Sequence, residues 1–322
     1  MLSRRIVQSR TSNLDLDVPG CLGNIDRLDT HLTVDNVRFA PCAFLVADDI
    51  NPATGAWASR HDPSKILSVA GSGADPTYGN ATAIENTAVK YNAAKYHQAG
   101  DTTWGSFSTH DGAIEITQNI TLTLAYMVCN RTGGVGDPGF VIYSNNGQIV
   151  SAFDDGVGTG ISAVNVPSLV GAVHVLVFYD RSEKMYLYVN GTYSASTDMS
   201  ALTANIDNDA FTVGAGSTSG VPSDKAFYHV AVWDMGGAVF PGALKNRTYF
   251  DRIARERFAI VAGIQDRRQG AHTFTRATSA YLDKWTPGAS TKSLYRVSAG
   301  WPRICERDDA NSKRVRRYLA EP

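Results

Sequence analysis

The sequence predicts an all-β protein: an antiparallel sandwich preceded by an extended arm and followed by one helix and an irregular tail. Three observations carry this. Short runs rich in Val, Ile, Tyr and Phe recur from about residue 36 to 235, some alternating with polar residues and some apolar throughout. Between them stand Asn-Gly and Gly-rich turns, with no helical period intervening. From 243 to 262 the spacing of apolar residues changes to the helical one.

Residues 1–35 are polar and punctuated by Asp17-Val18-Pro19-Gly20 and Cys21-Leu22-Gly23-Asn24, which is turn chemistry. They read as an arm that orders against something else, or as a first edge strand. The sandwich is assigned to 36–242. In it, 120–129 (ITLTLAYMVC) alternates apolar residues with Thr, as one half-buried strand should. Segments 139–143 and 148–153 flank Ser144-Asn145-Asn146-Gly147, a hairpin signal because Asn and Gly accept positive φ. Segment 174–179 (HVLVFY) leads through an Asp-Arg-Ser-Glu-Lys turn into 185–189 (MYLYV), which stops at Asn190-Gly191 before 193–196 resumes. Segments 210–214 and 226–233 supply two further strands.

Over 243–262, Leu244, Phe250, Ile253, Ala254, Phe258 and Val261 share one helical face, while Arg252, Arg255 and Arg257 fall largely elsewhere. Residues 263–322 read as irregular and end in a basic run, Lys313-Arg314-Val315-Arg316-Arg317.

The chain has 322 residues and a formal net charge of −1, but the charge is not spread evenly. From Leu244 to Pro322 there are 17 basic and 8 acidic residues; the remainder holds 13 basic and 23 acidic. An acidic body with a basic tail points to a partner for one end. No apolar run approaches the ~18 residues of a membrane helix, so membrane insertion is not expected. The first residues, basic without an apolar core behind them, do not read as a secretory signal. The four cysteines (Cys21, Cys42, Cys129, Cys305) are widely spaced without metal-ligand spacing, and read as free or buried thiols, with disulfides or a redox-sensitive joint as the alternative.

The run His174-Val175-Leu176-Val177-Phe178-Tyr179-Asp180, followed by Met185-Tyr186-Leu187-Tyr188-Val189-Asn190-Gly191, resembles the concanavalin A-like, laminin-G-like lectin superfamily. Phe211-Thr212-Val213-Gly214 and 227–233 match its later strands in order, and the resemblance covers roughly 40–236. It implies a jelly-roll sandwich. A second stretch, His272-Thr273-Phe274-Thr275-Arg276-Ala277-Thr278-Ser279-Ala280-Tyr281-Leu282-Asp283, resembles a segment recurring in tailed-phage virion proteins. Trp301-Pro302-Arg303-Ile304 and Tyr318-Leu319-Ala320-Glu321 follow it in the same order as there. In those relatives the chain usually continues past this glutamate, whereas here the sequence stops at Pro322. That implies a shortened variant, or a tail that completes its fold on a neighbouring subunit.

A glycoside hydrolase needs two carboxylates flanking the sugar bond. Glu85 and Glu115 are the nearest candidates, and neither has an acidic partner two or four residues away. No nucleophile elbow, phosphate-binding loop or HExxH is present, so no enzyme is expected. His174 and His229 fall in strands, where a hydrogen-bonded sheet histidine is the ordinary outcome.

Laminin-G-like domains often hold Ca²⁺ at the rim through carboxylates and carbonyls. Asp154 and Asp155 before Gly156, and Asp207 and Asp209 in a later loop, are the candidate ligands, with ordinary Asp-Gly turn chemistry as the competing reading. Trp57, Tyr78 and Trp104 sit in Gly-, Thr- and Asn-rich stretches. They are the candidate glycan platform if they lie exposed on loops, and loop pins otherwise.

In the tail, Arg276, Tyr281, Trp285, Trp301, Arg303, Arg314, Arg316 and Arg317 mix Arg with aromatics as protein–protein anchors do. Assembly is favoured over nucleic acid there, since no nucleic-acid motif accompanies the charge. The expectation is a non-enzymatic virion protein, a tail fibre, spike or head decoration. It would assemble in the host cytoplasm, associate with itself and other virion proteins, and present the sandwich to host-surface polysaccharide. A free-standing lectin is the alternative.

Overall fold

The computed structural model describes residues 25, 28–34, 37–72, 76–78, 89–91, 95–100, 104, 107–120, 124–131, 137–165, 171–206, 210–216, 226–236 and 243–261, together with short strands between 265 and 307. The N-terminal strands are β1 (Leu32–Val34), β2 (Val37–Phe39), β3 (Ala43–Val46), β4 (Trp57–Ala58), β5 (Ile66–Gly71), β6 (Thr77–Tyr78), β7 (Val89–Lys90) and β8 (Lys95–Ala99). The long central strands are β9 (Gly112–Ile120), β10 (Ala125–Cys129), β11 (Gly139–Asn145), β12 (Gln148–Asp154) and β13 (Thr159–Asn165). They continue as β14 (Gly171–Tyr179), β15 (Lys184–Val189), β16 (Thr192–Asp198), β17 (Thr212–Val213) and β18 (Ala226–Asp234), and the helix α1 spans Ala243–Val261.

Two eight-stranded antiparallel sheets face each other. The first runs β16-β15-β14-β9-β18-β7-β6, with β3 also paired to β18; the second runs β13-β12-β11-β10-β17-β8-β5-β4. The expected antiparallel sandwich with a C-terminal helix is therefore the observed architecture. The turns that build it are those the sequence marked. Asn146 and Gly147 take φ of 47° and 75°, and Asn190 and Gly191 take 49° and 71°. These are the left-handed values that let a two-residue turn follow the twist of its strands. Gly191 has a second reason to be glycine: a Cβ there would lie 2.9 Å from Phe258 Cβ.

Period-two alternation sorts the strands' side chains into two layers. Ile114, Ile116, Val175, Val177 and Leu187 of the first sheet meet Phe140, Ile142, Ile149, Phe153 and Val213 of the second in the main core. The intervening positions Ala113, Leu176, Phe178, Tyr188, Tyr228 and Trp233 form a second core with Phe250, Ile253, Ala254 and Phe258 of α1 and with Ile25, Leu28, Leu32 and Val34 ahead of the sandwich. The first sheet is thus buried on both faces, which is why β18 reads AFYHVAVW with almost no polar residue. Phe250 stacks on Phe178 at 3.9 Å between centroids. Burying a phenylalanine of this kind contributes about 2–3 kcal/mol.

Three details differ from expectation. Segment 120–129 is not one strand: β9 ends at Ile120 in the first sheet, and β10 begins at Ala125 in the second. The strand expected over 210–214 is only Thr212–Val213. Within the tail read as irregular, β19 (Gln265–Asp266), β20 (Ala271–His272), β21 (Thr291–Arg296) and β22 (Pro302–Arg307) pair as a four-stranded antiparallel sheet.

At one side of the sandwich the edge strands of the two sheets, β13 and β16, come together. Thr197 Oγ1 donates to the Ile161 carbonyl across the gap. Gly160 packs close to Leu202 beside this seam, where a Cβ would lie 3.2 Å from Leu202 Cδ1. No described helix is long and apolar enough to cross a membrane.

Candidate functional site

The two outer faces of the sandwich are built differently. Beneath α1, the outer face of the first sheet carries a buried ionic cluster. Glu115 on β9 is wholly buried and accepts from Arg257 of α1 at 3.0 and 2.9 Å (Nε) and 2.6 Å (Nη2). His174 on β14 donates from Nε2 to the same carboxylate at 2.7 Å. Burial opposes the charge on Glu115, but Arg257 and His174 outweigh it and hold the carboxyl well below the usual range.

Arg257 also donates from Nη1 to the Asp29 carbonyl at 3.1 Å and lies 4.9 Å over the ring of Trp233. The Trp233 indole N–H in turn donates to the Thr30 carbonyl. One guanidinium therefore ties helix, sheet and N-terminal segment together. Both ring nitrogens of the neighbouring His229 lack a hydrogen-bond partner among the described residues, and burial pushes its pKa down to about 3.

The outer face of the second sheet is different. Alternation on β10, β11 and β12 gathers Cys129, Val141 and Ala152 into a small third cluster, with the half-buried rings of Tyr126 and Tyr143 packed against it. The two tyrosines are register partners across β10 and β11, with centroids 5.7 Å apart and planes at 51°. Tyr126 packs over Gly216, where a Cβ would fall 2.5 Å from the ring. The chemistry offered is an aromatic shelf with phenolic hydroxyls, on the sheet face opposite α1.

The expected glycan platform is placed elsewhere. Trp57 is not on an exposed loop: it lies on β4, is fully buried, and donates its indole N–H to the Val46 carbonyl at 2.8 Å. Trp104 is buried too, at 3% exposure, with Lys65 Nζ 5.8 Å from its ring centroid. Both tryptophans take the loop-pin alternative, because hydrophobic burial dominates for so large a ring. Tyr78 is on β6, opposite Val89, and its side chain is not among those described.

The expected calcium rim is also built otherwise. Asp154 is buried and accepts from the Gly156 N–H and the Thr159 hydroxyl. Asp155 accepts from the N–H groups of Val157, Gly158 and Ala204. Burial works against its charge, but these donors and Arg181 hold its pKa low. The carbonyls of Ser108, Leu202 and Ala204 that a cation would need nearby receive Arg181 instead, at 2.7–2.9 Å.

Asp207 and Asp209 lie outside the described residues, as do Glu85, Arg276, Tyr281, Trp285, Trp301, Arg314, Arg316 and Arg317. Arg303 is on β22, opposite Tyr295. No cluster of metal-ligating side chains occurs among the described residues. Of the strand histidines, His174 is hydrogen-bonded as expected and His229 is not.

Arg257, Tyr126 and Tyr143 were not singled out by sequence reading. The only signal for the tyrosine pair is the Gly-rich stretch between 132 and 139, which marks a hairpin that would bring the two strands into register.

No protein-family model matches the chain, and no curated protein matches it. Among solved structures it is similar to the botulinum neurotoxin serotype D binding domain, at 11% identity and a TM-score of 0.46, covering 67% of this chain and 51% of that one. It is also similar to the binding domain of botulinum neurotoxin DC in complex with SialylT, at 10% identity and a TM-score of 0.45, covering 66% and 51%. A third similarity is to the CBM40 of Ruminococcus gnavus IT-sialidase bound to α2,3-sialyllactose, at 15% identity and a TM-score of 0.38, covering 52% and 96%. The chain spans about half the length of the neurotoxin domains it matches. Nothing those proteins bind is carried over from them.

Proposed function

We propose that the chain is a non-catalytic adhesion subunit of a tailed-phage virion, a tail fibre, spike or head decoration that presents its sandwich to host-surface glycan. The observation that carries this is the polarity of the sandwich. The outer face of the first sheet is occupied by α1 and the N-terminal segment, locked on by Arg257 and Glu115. The outer face of the second sheet carries the tyrosine shelf instead. Sugars offer apolar C–H faces and hydroxyls together, and half-exposed tyrosines meet both.

The virion context draws support from the phage-like segment at 272–283 and from the opposition of acidic body and basic tail, which favours assembly among like copies. Many copies would make weak individual contacts effective. Glu115, the hydrolase candidate among the described residues, is sealed beneath α1 and already holds Arg257 and His174.

The test is a glycan array with the full chain beside the Tyr126→Ala/Tyr143→Ala variant, with particle size measured by light scattering at low and high salt. A multi-copy species that binds glycan, and loses binding in the variant, is the expected result. A monomer that binds glycan would favour the free-standing lectin, and absence of binding to any glycan overturns adhesion altogether.

A further inference from the structure

In a chain of which 19% is charged, the neighbouring strands β10 to β13 carry a single charged residue, Asp154. That carboxylate is buried and taken up by its own loop, through the Gly156 N–H and the Thr159 hydroxyl. Around the tyrosine shelf, the described residues of these strands thus expose no charge. They do expose amides. Two residues on from Tyr143, alternation returns Asn145 to the same face, and its register partner across the hairpin is Gln148. Asn145 is half-buried and Gln148 exposed, so both side chains stand at the surface.

Alternate residues of a strand lie about 7 Å apart, and facing partners about 5 Å. The Asn145–Gln148 pair is therefore one step along the face from the Tyr126–Tyr143 pair, a span that a single pyranose ring bridges. Asn146 and Gly147, at φ of 47° and 75°, close the hairpin in two residues, so the spacing of the amides is set before a ligand arrives. Each amide offers a donor and an acceptor together, which matches neighbouring sugar hydroxyls. A charged substituent would meet no counter-charge here and would give up its water without return.

We propose that the shelf is a site for a neutral saccharide, its ring against Tyr126 and Tyr143 and its hydroxyls on the amides of Asn145 and Gln148. This rests on the adhesion reading and adds the ligand's chemical class and two contact residues to it.

The experiment titrates the full chain, at low and high salt, with two matched pairs of probes: lactose beside sialyllactose, and tri-N-acetylchitotriose beside its deacetylated, cationic form. The strongest neutral glycan of the array is added to the set. At least one neutral probe should bind, no more weakly than its charged relative, with less than a twofold change between the two salt conditions because no ion pair is there to be screened. Gln148→Met keeps the length of an exposed side chain and removes its amide; it should weaken that probe about fivefold, the worth of one hydrogen bond, with the melting temperature unchanged. Asn145→Ala should do the same, and Tyr126→Ala/Tyr143→Ala should abolish binding.

Binding confined to charged probes, a charged probe tenfold tighter than its neutral relative, or affinity that fades with salt overturns the proposal and leaves adhesion standing. So do Gln148→Met and Asn145→Ala chains that both bind as the parent does. Binding to no saccharide overturns both readings, and a dimer that the double tyrosine variant dissolves would then assign the shelf to a second copy of the chain.

Discussion

Replacing Arg257 by Met keeps most of the stem that lies over Trp233 and removes the charge. Glu115 would then stand wholly buried with His174 as its remaining strong partner, after losing three contacts of 2.6–3.0 Å. Breaking a buried pair in this way costs roughly 3–5 kcal/mol, because the abandoned charge cannot reach water. Glu115→Leu alone should cost a similar amount by stranding Arg257. The double variant should recover most of the loss, ending about 1–3 kcal/mol below the parent, since His174 is then left without its acceptor.

Urea unfolding followed by tryptophan fluorescence reads the cycle, and Trp233 beside Arg257 makes the signal local. A coupling of about 3 kcal/mol or more is expected. If Arg257→Met unfolds within about 1 kcal/mol of the parent, or if the two single losses simply add, then the cluster is not the clasp between helix and sheet described above.

Stability should also fall as pH drops from about 6.5 to 4. His97 and His229 are buried and neutral, with pKa values of about 4 and 3, while the unfolded chain protonates both near 6.5. The unfolded state therefore binds more protons over that window, and each histidine removes about 1.4 kcal/mol per pH unit. Burial raises the Asp180 carboxyl to about 6, which opposes part of this by protonating in the folded state first. His229→Leu should raise the melting temperature at pH 5 more than at pH 8; an equal gain at both would show that folding leaves the protonation of His229 unchanged. Arg181→Met should strand the carbonyls of Leu202 and Ala204 at a cost of about 2–4 kcal/mol and open the chain near 202–206 to limited proteolysis; unchanged cleavage there would refute the role given to this arginine.

The strands were legible where local chemistry dictates the turn. Asn146-Gly147 and Asn190-Gly191 need positive φ, so the hairpins at these points could be read without knowing what surrounds them. The passage between sheets at 121–124 was not legible. Thr and apolar residues alternate straight through it, and alternation reports which side a residue faces, not which sheet it belongs to.

The helix was found from its apolar face, and Phe250, Ile253, Ala254, Phe258 and Val261 are all buried as that face requires. Arg257 was assigned away from the interior because helical patterning counts an arginine as a solvent residue. What buries it is a carboxylate 142 positions earlier, which no local window contains. Trp57 and Trp104 misled for the opposite reason: small polar neighbours suggested loops, while the size of an indole drew each ring inward. The shelf on the second sheet depends on register between β10 and β11, which sets Tyr126 opposite Tyr143 and which no local window contains.

Where β13 and β16 meet, the borders of the two sheets come together and Thr197 ties them at the Ile161 carbonyl. Bare borders are where foreign strands add on, so a body that folds two of them together has removed one route to indiscriminate fibre growth. That protection matters most when copies are crowded side by side, as on a particle surface. Gly160 stands at this seam, where a Cβ would come to 3.2 Å from Leu202 Cδ1, so any larger residue there asks the Leu202 side chain to give way.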